Sequence, residues 1–305
     1  MALDLPVTAV SPWVPSAYSH PSVSAATDPR IPTGIADFDQ MSGGFPAGSV
    51  VLLLGETGAG HQEFALTSAT HLMFHYDEQQ LHRFYLAIDR ENYVFPRAVG
   101  YVSLTRSREQ VLQEVSGSFD PLYRTVLERH LLFHDLSASY FADTIVPPSW
   151  SAGPGGLLAS VRAGAASNQG VLAALAASVE ESGPDNVLVV DSLTDLIVRR
   201  GIEVADLLTL IKGMRRRAKT WGGVVYLLLS HGVGTADTEQ ALADSADAVL
   251  SFSWNQNPLR SSRQRSLTVA KSMPVLAHVP HEHQGRFVIR ISSLTGLVTT
   301  QYERI

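Results

Sequence analysis

At 305 residues, with 45% hydrophobic against 17% charged, the chain can build one large α/β core, and this balance excludes an intrinsically disordered protein. No stretch reaches the roughly 18 apolar residues a membrane helix needs, and without cysteine there is neither a disulfide nor a thiolate metal site. A net charge of −6 runs against the basic footprint of a nucleic-acid binder. No basic segment followed by an apolar one opens the chain, so a cytoplasmic protein is expected.

Residues 1–29 are rich in Ser, Ala and Pro and show no period of 2 or 3.6, so they read as a loose arm. The folded domain is expected over 30–305. Turn signals at Gly43-Gly-Phe-Pro-Ala-Gly-Ser49 precede an apolar run, Val50 to Leu54, that predicts a buried parallel strand. Ala65, Ala69, Leu72 and Met73 then mark one face of a helix. A second strand is expected at Arg83 to Ile88, ending on Asp89-Arg90-Glu91, then a helix near Arg106 to Val115 and a short strand at Leu131 to His134. Residues 138–156, with Pro147-Pro148, Trp150 and Gly-Pro-Gly-Gly at 153–156, read as an irregular insertion.

An Ala-rich helix runs to Ser182 and is stopped by Gly183-Pro184. Asn186 to Asp191 is an apolar strand ending in one carboxylate. Val204, Leu207, Leu208, Ile211 and Ala218 fall on one face of the next helix. A strand at Val224 to Leu229, a polar loop at Gly232 to Glu239 and a strand at Ala246 to Phe252 follow. Ser266 to Ala270 and Phe287 to Ile291 close the domain as a hairpin or meander.

The chemistry-bearing stretch is Gly55-Glu56-Thr57-Gly58-Ala59-Gly60-His61-Gln62. It has the frame of a phosphate-binding loop, G-x-x-x-x-G-K-[ST], between a strand and a helix. Glycines let the main chain approach an anion closely, and the helix start offers N–H groups to it. His61 stands where Lys would add a point charge, and Gln62 where a hydroxyl would meet magnesium. Asp191, ending a downstream strand, is the expected magnesium-side acid of such a site. His281-Glu282-His283 supplies two ligands at i, i+2 with no evident third, and reads as an exposed polar turn.

Together these residues resemble the RecA superfamily, and most closely its KaiC-like branch, particularly archaeal members implicated in signalling. The echoes are Ile31-Pro-Thr-Gly-Ile, Gly43-Gly-Phe-Pro-Ala-Gly-Ser, the loop, Val189-Val-Asp-Ser-Leu-Thr194 and Leu242-Ala-Asp-Ser-Ala-Asp-Ala-Val-Leu250. The resemblance implies a RecA-like P-loop NTPase fold, with a mostly parallel sheet flanked by helices and antiparallel strands towards the carboxyl terminus. It implies ATP or ADP with magnesium at the carboxyl ends of the strands, and frequent ring assembly. It also implies two adjacent water-activating glutamates after the second strand, where Asp89 and Arg90 stand with Glu91 next. A Lys-x-Arg pair reaching a neighbour's nucleotide is matched at Lys271, while Met273 and Pro274 replace the Arg and the following glycine.

The loop Lys, its hydroxyl neighbour, one catalytic acid and the trans Arg are thus lost together. The leading expectation is a protein with a degenerate Walker A motif that binds nucleotide weakly and acts as a regulatory or signalling module through a protein partner or self-assembly. An active ATPase would need a rescuing cation such as Lys271. A recombinase-like DNA binder would need a basic loop, and Gly232 to Glu239 has no Lys or Arg.

Overall fold

Apolar runs without polar alternation are the mark of strands covered on both faces, and the centre of the structure is built that way. The computed structural model describes residues 28–86, 91–151, 168–256, 263–272 and 286–301. A short antiparallel pair, β1 (Arg30–Ile31) and β2 (Phe45–Pro46), brackets helix α1 (Ala36–Ser42) and leads into β3 (Ser49–Gly55). Helices α2 (His61–Asp77) and α3 (Gln79–Leu86) precede β4 (Val99–Ser103), α4 (Arg108–Ser118), α5 (Pro121–His130) and β5 (Leu131–Asp135). Two short helices, α6 (Ser137–Phe141) and α7 (Pro148–Ser151), come before α8 (Asn168–Ser182) and β6 (Val187–Asp191). Then follow α9 (Leu193–Val198), α10 (Val204–Ala218), β7 (Val224–Ser230), α11 (Ala236–Ser245) and β8 (Ala248–Gln256). Strands β9 (Arg263–Lys271), β10 (Arg286–Ser292) and β11 (Gly296–Gln301) complete the order.

The nine-stranded sheet runs β11-β10-β9-β8-β3-β7-β6-β4-β5. Strands β8, β3, β7, β6, β4 and β5 are parallel, and β9, β10 and β11 add antiparallel ribbons at one edge. Alternation along β3 divides the core. Val51 and Leu53 pack with Phe64 and Leu72 of α2 on one face. Val50 and Leu52 pack with Leu175, Leu207 and Ile211 of α8 and α10 on the other. Fully burying each such side chain contributes about 2 kcal/mol, which is why β3 is the anchor of the fold. No helix among the described residues is long and apolar enough to cross a membrane.

Three elements differ from the sequence expectation. Arg83 to Leu86 is the end of helix α3, not a strand, because Tyr85 turns inward to stack on His71 at 3.8 Å between centroids while Phe84 stays exposed. The second parallel strand in chain order is β4, whose five residues are all buried. Its apolar run is interrupted by Gly100, where a Cβ would meet Leu188 at 2.7 Å and Ser182 at 2.9 Å. The segment read as a polar loop, Gly232 to Glu239, already contains the first turn of α11, capped by the Thr235 hydroxyl accepting from the Thr238 N–H at 3.2 Å. The insertion at 138–156 carries α6 and α7, with residues 152–156 outside the described residues. Of the arm, only Asp28 and Pro29 are described.

Candidate functional site

The loop leaves the carboxyl end of β3 and turns through Gly58 at φ +71° and Gly60 at φ +114°, a left-handed backbone that only glycine adopts without strain. The Ala59 N–H donates to the Glu56 carbonyl at 2.9 Å and closes the turn, and the Glu56 N–H donates to the Phe252 carbonyl at 3.0 Å. Side chains from β8 and β9 hold the outer rim. The Trp254 indole N–H donates to the Thr57 carbonyl at 3.1 Å, and Arg265 donates to the Gly58 carbonyl at 2.8 Å while lying 4.4 Å over the Trp254 ring. With its carbonyls drawn outward, the loop hands over to α2, whose opening N–H groups at His61, Gln62 and Glu63 have no intrahelical partner. The backbone part of a phosphate loop is therefore intact.

The side chains on that frame point elsewhere. The His61 ring lies over Gly55 so closely that a Cβ there would sit 2.1 Å from Nδ1. Its Nδ1 is buried without a hydrogen-bond partner. Burial lowers the His61 pKa, against the opposing pull of Glu63 and Asp191, so the ring is neutral at pH 7. Gln62 Nε2 donates to both carboxylate oxygens of Glu114 in α4, each at 3.2 Å.

The centre of the site is a residue the sequence did not single out. Arg106 follows β4, its N–H held by the Ser103 hydroxyl at 2.9 Å. One guanidinium nitrogen, Nη1, donates to Glu114, and the other, Nη2, donates to the Asp191 carboxylate and, at 2.9 Å, to the Tyr101 hydroxyl. The Tyr101 hydroxyl donates to Asp191 Oδ2 at 2.7 Å. Burial opposes the Arg106 charge, yet Tyr101, Asp191 and Glu114 together raise its pKa. A chain of polar contacts thus runs from α2 through Glu114 and Arg106 to the ends of β4 and β6. A magnesium ion demands octahedral oxygen ligands at about 2.0–2.1 Å. Asp191 instead faces a guanidinium, and Gln62 is tied to Glu114, so these residues do not fit that ion. Among the described residues no group of three or more His, Asp or Glu is placed to hold a metal.

The remaining sequence candidates are scattered. Glu91 is exposed in a turn just before Tyr93, which bridges Arg30 beside β1, so it lies at the amino-terminal end of the sheet and away from the loop. Lys271 faces Val249 near the start of β8, also at that end. Its ammonium donates to the carbonyls of Ala243, Asp244 and Ala246 at 3.1, 2.9 and 2.9 Å, which uses all three of its protons on the end of α11. Asp89, Arg90, Met273, Pro274 and His281 to His283 lie outside the described residues. The strand hydrogen-bonded to β6 on the side away from β7 is β4, and Thr105 and Arg106 follow it, with no carboxylate before Glu109. The capping-box pattern Ser107-x-x-Gln110, which the structure forms, was the sequence signal that a strand–loop–helix junction lay here.

Comparison with solved structures decides the fold. A KaiC-like protein of the hyperthermophilic archaeon Pyrococcus horikoshii OT3 superposes with a TM-score of 0.56 at 17% identity, covering 89% of this chain and 98% of that one. The fold is RecA-like. The flagellar accessory protein FlaH of Methanocaldococcus jannaschii superposes with a TM-score of 0.53 at 15% identity, covering 90% of this chain and 99% of that one. No family model and no curated protein matches the chain. Within this RecA-like architecture, the loop after β3 and Asp191 at the end of β6 occupy the carboxyl-terminal edge, where open α/β sheets carry their ligands.

Proposed function

We propose that this chain is a RecA-like module that has given up phosphoryl transfer and works in the cytoplasm as a regulatory or signalling protein, through a protein partner or self-assembly. The observation that carries the reading is Arg106 seated on Asp191. Phosphoryl transfer depends on positioned cations and a positioned water, and losing one such contribution commonly costs ~10³-fold or more. Here the loop cation is replaced by a neutral, half-buried His61, the hydroxyl by a Gln bound to Glu114, and the metal-side acid is already neutralised by the chain itself.

The intact glycine loop favours a second, compatible role: weak holding of ATP or ADP through backbone N–H groups. An active ATPase with Lys271 as rescuing cation is the less favoured reading, because that ammonium is committed to three carbonyls. A DNA-binding role is less favoured still, since the segment after β7 carries no Lys or Arg through Glu239. One of the structural neighbours is named a flagellar accessory protein, a supporting role in keeping with this reading. The test is phosphate release from ATP by the purified full chain. Background release is expected; magnesium-dependent turnover abolished by Asp191→Ala overturns the reading.

A further inference from the structure

A working nucleotide site of this kind ties neighbouring strands and the loop helix together only while ligand and metal are bound. Here the tie is permanent. Resting on the reading above, we infer that Arg106 is a built-in counter-ion that replaces the metal mechanically, clamping β4, β6, α4 and the start of α2 so that the ligand face of the sheet holds one shape without nucleotide or divalent cation.

The clamp has four anchors. Arg106 donates to Asp191 at the end of β6, to the Tyr101 hydroxyl of β4, and to Glu114 of α4, which in turn accepts from Gln62 in the first turn of α2. This is no rim ion pair: the Asp191 side chain is only 13% exposed and that of Arg106 25%, and the wholly buried Tyr101 donates its hydroxyl to the same carboxylate. A guanidinium is planar and always charged, so it can bridge two carboxylates in a fixed geometry. Substituting it leaves Asp191 and Glu114 within a guanidinium's span of each other and without a counter-charge. Two carboxylates so placed repel, and a divalent cation supplied from solution can then take the place of the Arg. The degenerate loop and the clamp are one device: Gln62 anchors Glu114, which a hydroxyl side chain is too short to do in the same way. A face set in this manner is presented to a partner at all times, not in response to nucleotide.

Thermal unfolding of the full chain, without nucleotide, tests this in EDTA, in magnesium chloride and in manganese chloride. The wild-type Tm should be the same in all three. Arg106→Ala should melt several degrees lower in EDTA and regain stability in manganese or magnesium, and the regain should vanish in the Arg106→Ala/Asp191→Asn double variant. Arg106→Lys, which keeps the charge but not the planar fork, should melt between the wild type and Arg106→Ala and show a weaker metal response than Arg106→Ala. Arg106→Met, which keeps aliphatic bulk, repeats the comparison should the alanine variant fail to fold. A wild-type Tm that climbs with either metal, or Arg106 variants that lose stability without gaining a metal response, would overturn the clamp. Phosphate release in the same samples reads the loss of hydrolysis separately, so turnover with a metal-insensitive wild-type Tm refutes that reading and leaves the clamp standing.

Discussion

Tyr101 and Asp191 sit on hydrogen-bonded parallel strands, and the tyrosine hydroxyl donates at 2.7 Å to the carboxylate oxygen that also receives Arg106. Burial first, and then the charge of Asp191, raises the Tyr101 pKa well above its ordinary value, so the hydroxyl keeps its proton throughout the accessible pH range. Tyr101→Phe should preserve the ring stacked on Phe133 at 5.7 Å. It should remove one donor from a nearly buried carboxylate, at a cost of about 2 kcal/mol. Urea denaturation, with an unchanged m-value, checks this.

Asp191→Ala should act on stability and not on turnover. Removing one partner of a largely buried pair leaves the other charge uncompensated, and the loss should be about 3 kcal/mol. In a hydrolysing relative the same change would act on the reaction. Phosphate release at the wild-type background, together with a lowered denaturation midpoint, is the expected result.

Restoring the loop should recover binding before chemistry. His61→Lys with Gln62→Thr returns a cation and a hydroxyl to the loop and frees Glu114 from α2. Metal-free ATP affinity, measured by calorimetry, should rise at least about tenfold, equivalent to 1.4 kcal/mol. Hydrolysis should stay at background, since Arg106 still holds Asp191. An unaltered affinity would mean that the loop side chains are not what limits binding.

His71 makes folding pH-dependent in acid. Its ring is buried, with Nδ1–H donating to the Gly34 carbonyl at 2.7 Å and Nε2 accepting from the Tyr123 hydroxyl at 2.6 Å, which defines a neutral ring. Burial lowers its pKa to about 4, against the Gly34 carbonyl's opposing pull. The unfolded chain binds a proton near pH 6.5 that the folded chain refuses, so this contribution to stability is complete above pH 6.5 and is lost as pH falls towards 4. The loss should reach about 3 kcal/mol at pH 4. Denaturation midpoints followed from pH 7.5 to 4 should fall, and His71→Gln should flatten the decline.

Much of the architecture was written locally. Val50 to Leu54, followed by glycines at Gly55, Gly58 and Gly60, can hardly be anything but a buried strand entering a phosphate-type loop, and Val187 to Asp191 is equally plain. The run from Arg83 to Ile88 is different, because a short apolar stretch has no period that separates helix from strand. Stacking of Tyr85 on His71 decided it as helix up to Leu86. Strand β4 was hidden by Gly100, a residue that weakens a strand in isolation and is required here because Leu188 and Ser182 leave no room for a Cβ.

The sequence by itself determined the loop, its backbone geometry and the absence of Lys and a hydroxyl at positions 61 and 62, since each is a matter of residue type at fixed local spacing. It could not reveal which side chain Asp191 meets. Arg106 and Asp191 are 85 residues apart, and Gln62 and Glu114 are 52 apart. Arg106 and Asp191 meet because β4 pairs beside β6 with Ser103 opposite Asp191, which brings the residue three beyond the strand end over its neighbour's carboxylate. Strand order is a property of how the two faces of the sheet are covered, and it took the folded chain to turn an unremarked arginine into the centre of the site.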